Sequence, residues 1–523
     1  MVALTAIHDW VDAPGSVVSW GPSPASAAKV ALAASTDVPA SYQQEQHIRT
    51  FREHSASGLE MARLLIPSWN IPGRCDIRAM TYVINSYLRR HDTYHSWFEF
   101  DENDRVIRHT VANPTDIAFV ATKHGEMTAA KWRAHVLATP SPLQWDCFTF
   151  GVIQRADHFT FYACIDHVHA DAMFMVNLFV ELNMNYAALV EGGAPIRLPE
   201  TGSYNDYCLR QRKFTAALSL ESPEVAEWVD FLHRNGGTMP KFPLPLGDPS
   251  VPCTGDLITV TLMDAHDSDR FESVCTSAGV RFIGGVFACA AIAERELTGA
   301  DSYHVITPTT TRSTPAELAT TGWFTGVVPI SIPVAGMSFG EVAKAAQGAF
   351  DSGLRLANVP IERVMELAAS VPGITEPGAG IPMLSYLDIG LPPLNPVVMG
   401  QWQARNGQLY TDLGAANQIG MWVNRRDTGT IVTVAYPDNP VARESVAQYV
   451  DVMKMVYLRA AEGRADSVTS PRIPRARCEP ARCGDSRRRA VEPRQCNSLS
   501  GSGAVPGSAR CRPGGGHAGA VDL

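Results

Sequence analysis

No leader of the secretory kind opens this chain: "MVALTAIHDWVDAPGS" has neither a basic stretch nor an apolar core behind it. Long apolar runs are missing too. The longest run of small or apolar residues, "FIGGVFACAAIA" at 282–293, falls far short of the roughly 20 residues that span a bilayer. These absences point to a soluble, cytoplasmic protein, still able to touch the inner face of the plasma membrane peripherally. Paired cysteines are absent as well. Seven of the eleven cysteines lie in the body, at Cys75, Cys147, Cys164, Cys208, Cys253, Cys275 and Cys289, with no CxxC pair. An odd, scattered set fits neither a disulfide framework nor a zinc ribbon, so reduced packing cysteines are expected. Nor is there a short-period repeat or a cofactor motif.

What is present is length and an uneven charge. A chain of 523 residues with 45% hydrophobic content exceeds what one core usually covers, so two domains are expected. Net charge is −9, but residues 463–523 hold eleven arginines, no lysine and five acids, a surplus of six that leaves −15 on the rest. An acidic body argues against nucleic acid as the main partner. The same tail is rich in Arg, Pro, Gly and Ser, lacks aliphatic periodicity, and is expected to be disordered. Its basic character suits anionic lipid or RNA, while its abrupt change of composition suits translation out of frame past an ancestral stop.

Along the body, "DIRAMTYVINSYLRRHD" (76–92) has helical spacing. "CFTFGVIQR" (147–155) and "FTFYACIDH" (159–167) read as strands joined by a short turn, the second delivering His167 at its end. A helical stretch opens at Asp171 and stops at Gly192. The helix "SPEVAEWVDFLHRNGG" and the Pro-rich crossing "MPKFPLPLGDPSVP" (239–252) then separate a first half, 1–205, from a second, 253–462, with 206–252 as the connector. Both halves mix strands and helices, an α/β or α+β class.

Three motifs offer chemistry. His167 and His169 form an HxH, the pattern of a metal-dependent amidohydrolase, but that enzyme needs further strand-end ligands, and the downstream body histidines are His233, His266 and His304. "GMSFG" (336–340) matches a GxSxG nucleophile elbow. However, Ser338 also begins S-x-x-E with Glu341, the pattern of a helix-capping box, and only His517 follows it. The third reading takes His167 as a general base, able as a neutral imidazole to accept a hydroxyl proton, with Asp171 holding its loop in shape. An isolated H-x-x-x-D would more often be two polar residues satisfied in a turn.

The motif is not isolated. H-x-x-x-D, "YLRRHDTYHSWFEF" and "ELTGADSYHVITPTTTR" followed by "GWFTGVVPISIP" resemble the CoA-dependent acyltransferases of the chloramphenicol-acetyltransferase and condensation-domain superfamily. The phrases "AMTYVINSYLRRHDTY", "GEMT", "DHVHADAM", "FPLPLGDPS", "RFIGGVFAC", "GWFTG" and "PDNPVARESV", in order over about residues 8–462, are similar to its mycobacterial polyketide-associated branch, which acylates trehalose. The resemblance implies two chloramphenicol-acetyltransferase-like lobes with an active-site tunnel between them. It implies His167 as general base, Asp171 as structural support, and Arg312 of the second lobe as partner of Asp171. No metal and no cofactor are expected.

The implied reaction moves a long-chain or methyl-branched acyl group from a CoA or synthase-bound thioester to trehalose or an acylated or sulfated trehalose, without an acyl-enzyme, for cell-envelope glycolipid biosynthesis. The partners implied are long-chain acyl-CoA, the trehalose-based acceptor and a polyketide synthase. Other acceptors on the same fold, such as a glycopeptidolipid sugar or a long-chain diol, and a non-catalytic synthase-docking homologue are the alternatives. Two features remain to be placed. Ala172 stands where the superfamily has glycine, so the turn must enter the helix at negative φ. The small-residue helix at 283–293 leaves room either for a lipid chain or for tight helix packing.

Overall fold

The computed structural model describes residues 4–375, 382–391, 394 and 396–464. The tail expected to be disordered lies, apart from Gly463 and Arg464, outside the described residues. Two large sheets organise the rest, one in each of two lobes.

The first sheet runs in the order Leu4–Ala6, Gln408–Thr411, Leu64–Pro72, His158–Asp166, Phe148–Gln154, Gly15–Pro22 and Phe119–Met127. His158–Asp166 is internal, and every residue after His158 is buried. That explains its largely apolar run, "FTFYACI", interrupted only by Thr160, where a half-exposed strand would alternate. The helices Ile77–Arg90 and Phe174–Val190 cover one face. Asp76 caps the first by accepting the Arg78 and Ala79 N–H groups. It buries Met80, Val83, Ile84, Tyr87 and Leu88, the spacing of a single helical stripe. The second begins at Phe174, three residues later than the expected start at Asp171, because residues 171–173 form a turn.

The second sheet runs in the order Gly255–Asp264, Gly429–Pro437, Gly420–Arg426, Met383–Asp388, Ser302–Thr310 and Thr325–Pro333. Helices Ala265–Ser277, Phe282–Thr298, Phe339–Gly353 and Pro440–Ala461 share its core. Phe282–Thr298 settles the question of its small residues. A β-carbon on Gly285 would lie 2.4 Å from Cys275 Sγ and 2.7 Å from Phe271 Cζ, so this helix is in tight contact with its neighbours and houses no chain there. Among the described residues no single helix is long and apolar enough to cross a membrane. Ala265–Ser277 and Phe282–Thr298 reach that length only as a pair bent by 98°.

The two halves of the chain are not strictly separate. Gln408–Thr411, from the second half, sits in the first sheet, antiparallel to Leu64–Pro72 and parallel to Leu4–Ala6. The expected boundary at 205/206 also falls inside the helix Tyr204–Ala216. A strand of four residues with one apolar-facing side carries little signal of its own; pairing across the lobes, invisible to local periodicity, places it.

Candidate active site

The end of the central strand is where this sheet meets the second lobe, and Asp166 is its last residue. Its buried carboxylate accepts the Val168 N–H at 3.0 Å and is gripped by His47 Nε2 at 2.7 Å and Arg63 Nη1 at 2.8 Å. Burial by itself would raise its pKa, but His47, Arg63 and the backbone donor outweigh burial and hold the carboxyl below its ordinary value. Asp166 is therefore an anion at neutral pH, and it turns the chain into the short 3-10 segment His167–His169. The His167 N–H donates to the Arg63 carbonyl at 2.8 Å. Arg63 thus holds the turn from both its backbone and its side chain.

His167 leaves this turn toward the second lobe. Its ring is 9% exposed as a residue and packs on Trp323, with centroids 4.0 Å apart. It lines a cavity of about 140 Å³ walled from both lobes, by Leu64, Leu65 and Asp412 on one side and Leu257, Trp422 and Tyr436 on the other. A larger cavity of about 300 Å³ shares Ala62, Ala415, Ala416, Trp422 and Ala435 with it. The larger space does not itself reach His167; the two cavities adjoin only through these shared lining residues.

Asp171 and Arg312 meet across the lobes. Arg312 Nη1 and Nη2 donate to the two carboxylate oxygens at 2.5 and 3.0 Å, and the side chains are 1% and 3% exposed. The Asp171 carboxylate has no spare bonding capacity. Asp171 also accepts the N–H groups of Phe324 at 2.9 Å and Met173 at 3.1 Å. Arg312 also donates to the carbonyls of Glu317 and Thr320 at 3.0 and 3.1 Å. Because Phe324 follows Trp323, the same carboxylate that closes the His167 turn also fixes the residue on which His167 packs. Ala172 is exposed and lies at negative φ, since Asp104 and Asn406 are the only non-glycine residues at positive φ among those described.

His169 has a different environment from His167. It is fully buried beside Tyr94 and Phe148, and its Nδ1 pairs with Thr93 Oγ1 at 3.0 Å. Burial lowers its pKa to about 3, so it is a neutral packing residue. The HxH pair therefore points into two separate surroundings. Ser338 is half-buried, caps Phe339–Gly353 and closes a capping box with Glu341. Its hydroxyl is committed to that helix end.

Sequence reasoning missed His47, Arg63, Asp166, Trp323 and Asp412. Asp166 adjoins the motif and was legible as an acid ending an apolar strand, and Trp323 lies within "GWFTG". For His47 and Arg63, more than 100 positions from the turn they hold, no local signal exists. Asp412 directly follows the strand inserted from the second half and accepts the backbone N–H groups of Arg63 at 2.8 Å and Leu64 at 2.9 Å. Burial raises its pKa to about 6, more than those two donors and Arg63 lower it. Together these residues set an imidazole at the junction of the lobes, in a cavity walled from both.

Residues 67–370 match the condensation domain family. Trehalose-2-sulfate acyltransferase PapA2 of Mycobacterium tuberculosis (strain ATCC 25618 / H37Rv) is 53% identical over 463 residues, which cover 88% of this chain and 98% of the relative. The 2'-acyl-2-O-sulfo-trehalose (hydroxy)phthioceranyltransferase PapA1 of Mycobacterium tuberculosis (strain CDC 1551 / Oshkosh) is 52% identical over 462 residues, 88% of this chain and 89% of the relative. A solved structure of PapA2 acyl transferase superposes with a TM-score of 0.85 at 52% identity, covering 88% of this chain and all of that one. With its two lobes, its inter-lobe cavity and its H-x-x-x-D turn, this chain belongs to the condensation domain family and, within it, to the Pap acyltransferases.

Proposed function

We propose that this protein transfers a long-chain or methyl-branched acyl group from a thioester to a hydroxyl of trehalose or a trehalose derivative, with His167 as general base. The observation that carries the reading is the placement of the His167 ring, on an Asp166-anchored turn and against Trp323, in a cavity walled from both lobes. The names of the relatives, one a trehalose-2-sulfate acyltransferase and one acting on a 2'-acyl-2-O-sulfo-trehalose, support the acceptor class.

In this mechanism His167 takes the proton of the attacking hydroxyl as its oxygen bonds to the thioester carbonyl. The tetrahedral intermediate collapses with cleavage of the carbon–sulfur bond, and the imidazolium returns the proton to the departing thiolate. Transfer is direct and no acyl-enzyme forms. Such a base is worth about 10² to 10⁴ in rate. Asp171 and Arg312 do not take part in the proton transfer; their shared, buried hydrogen bonds make them the tie that keeps Trp323 and the turn in register. Acyl-CoA enters as substrate rather than cofactor, and a synthase-bound thioester is the alternative donor. The protein works in the cytoplasm, with peripheral contact at the inner face of the membrane where its lipid product is delivered.

The test is incubation with palmitoyl-CoA and trehalose, followed by mass spectrometry of the lipid extract. Acyl-trehalose formed by the wild type and lost in His167→Ala supports the proposal. Undiminished product from that variant refutes the base assignment, and loss of product on adding a chelator would replace it with a metal-dependent one.

A further inference from the structure

The cavity that the His167 ring lines is also lined by two carboxylates, Asp256 and Asp412. Asp256 is satisfied at both oxygens: the Leu257 N–H donates to Oδ1 at 2.8 Å and the Tyr436 hydroxyl to Oδ2 at 2.9 Å. Asp412 is satisfied at one. Its Oδ1 accepts the Arg63 and Leu64 N–H groups at 2.8 and 2.9 Å, with the Thr411 hydroxyl at 3.4 Å. Its Oδ2 takes no hydrogen bond among the described residues, and the protein does not close over it. Arg63, which lines the same cavity, is committed elsewhere: its guanidinium donates to Asp166 at 2.8 Å and to the Pro140 and Thr139 carbonyls at 2.9 and 2.8 Å. Asp412 is 8% exposed as a residue, and Oδ2 is the part of it left without a partner, in the space beside His167. Burial raises the carboxyl only to about 6, which leaves it ionised at pH 7 and able only to accept. A half-paired carboxylate in an enclosed site costs stability, and groups of this kind cluster at functional sites.

The chemistry at His167 decides what can complete this oxygen. The thioester carbonyl offers no donor, and its oxygen gains negative charge as the tetrahedral intermediate forms, which a facing carboxylate would oppose. The acceptor offers hydroxyls. At about 140 Å³ the cavity is smaller than the roughly 300 Å³ at which ligand pockets begin, so it admits the reacting end of a sugar and not a whole disaccharide. What enters beside the reacting hydroxyl is therefore its neighbour on the ring. We propose that Asp412 is an acceptor-binding residue, whose Oδ2 accepts a hydrogen bond from a second hydroxyl of the sugar, adjacent to the one that His167 deprotonates. Two bonds, one to each residue, fix which hydroxyl faces the thioester, where a single bond to the imidazole would leave the ring free to turn about it. The inference rests on the acyltransferase reading above and names a residue that holds its acceptor.

The experiment compares wild type with Asp412→Asn in steady-state transfer from palmitoyl-CoA to trehalose. The asparagine carbonyl can still accept the Arg63 and Leu64 N–H groups, which turns its NH₂, a donor, to the place of Oδ2. The expected result is a fall in kcat/KM for trehalose of about tenfold or more, the worth of a hydrogen bond to a charged group. It should be read as a raised KM for trehalose with the KM for palmitoyl-CoA unchanged, a split that general loss of structure would not produce, and the urea midpoint at pH 7 should not fall below that of the wild type. One monodeoxytrehalose, lacking the adjacent hydroxyl, should show a similar fall with the wild type, and its loss and that of Asp412→Asn should not add. Unchanged use of trehalose by the variant overturns the inference, as do losses that add for every monodeoxytrehalose. A raised KM for palmitoyl-CoA in place of trehalose assigns Oδ2 to the amide of the donor's pantetheine arm and overturns it too, and a lowered urea midpoint overturns the half-paired carboxylate on which it stands. Absence of acyl-trehalose with the wild type overturns the acyltransferase reading itself, a failure distinct from these.

Discussion

Removing Arg312 is the perturbation whose cost the structure lets one work out most fully. Arg312→Ala deletes both bonds to Asp171 and leaves that carboxylate in a site where its side chain is 3% exposed. Breaking one partner of a buried pair costs about 3 to 5 kcal/mol. The lower end applies here, because the Phe324 and Met173 N–H groups still donate to Asp171; about 3 kcal/mol is expected. Asp171→Asn should cost less, since Arg312 keeps the carbonyls of Glu317 and Thr320. The paired variant Asp171→Asn/Arg312→Met should recover much of the loss, with a coupling energy of about 2 kcal/mol or more. Urea denaturation followed by tryptophan fluorescence measures the stability, and steady-state acyl transfer measures the function. The rate should fall in each single variant because Trp323 and the His167 turn lose their common tie, while the shape of the pH–rate profile stays that of the wild type. A coupling energy near zero, or a changed pH profile in Asp171→Asn, would refute the view of this pair as architecture outside the proton path.

Three further outcomes follow from other parts of the site. His167→Ala should lower kcat by about 10² to 10⁴, measured as steady-state acyl transfer, while the turn keeps its backbone anchors to Asp166 and the Arg63 carbonyl. Ser338→Ala should cost about 1 kcal/mol as a lost helix cap and leave acyl transfer unchanged; loss of activity without loss of stability would reinstate it as a nucleophile. Asp412, raised to about 6 in the folded protein against an unfolded value near 4, favours the folded state when protonated. Its contribution is fully present below pH about 4 and is lost as pH rises through about 6. Asp412→Asn should therefore gain stability relative to wild type over that window, by an amount on the order of 2 to 3 kcal/mol, and hold the difference above it. Asp166 runs the other way, its depressed pKa adding stability that is lost only as the pH falls below the ordinary carboxylate range. Urea midpoints of both proteins at pH 4, 5, 6 and 7 check the sign.

Periodicity and turn chemistry, all local, determined most of the elements. The hairpin ending at His167 was legible because a strand buried on both faces must be continuously apolar, and the capping role of Ser338 because S-x-x-E is a three-residue pattern. The order of the motifs determined the family for the same reason that it determined His167 and Asp171, since they lie in one short turn. What only the tertiary structure decided is everything that crosses between distant segments. His47 and Arg63 hold Asp166 from over 100 residues away, Gln408–Thr411 leaves its own half for the first sheet, and Asp412 then reaches the backbone of Arg63 and Leu64. The helix 282–298 proved to be packed rather than hollow because Phe271 and Cys275 arrive from the neighbouring helix. Hydrogen bonds and packing act at a few ångströms whatever the separation along the chain, so a sequence read locally yields the turn that carries the imidazole, and only the fold yields the walls, and the charge, of the space it faces.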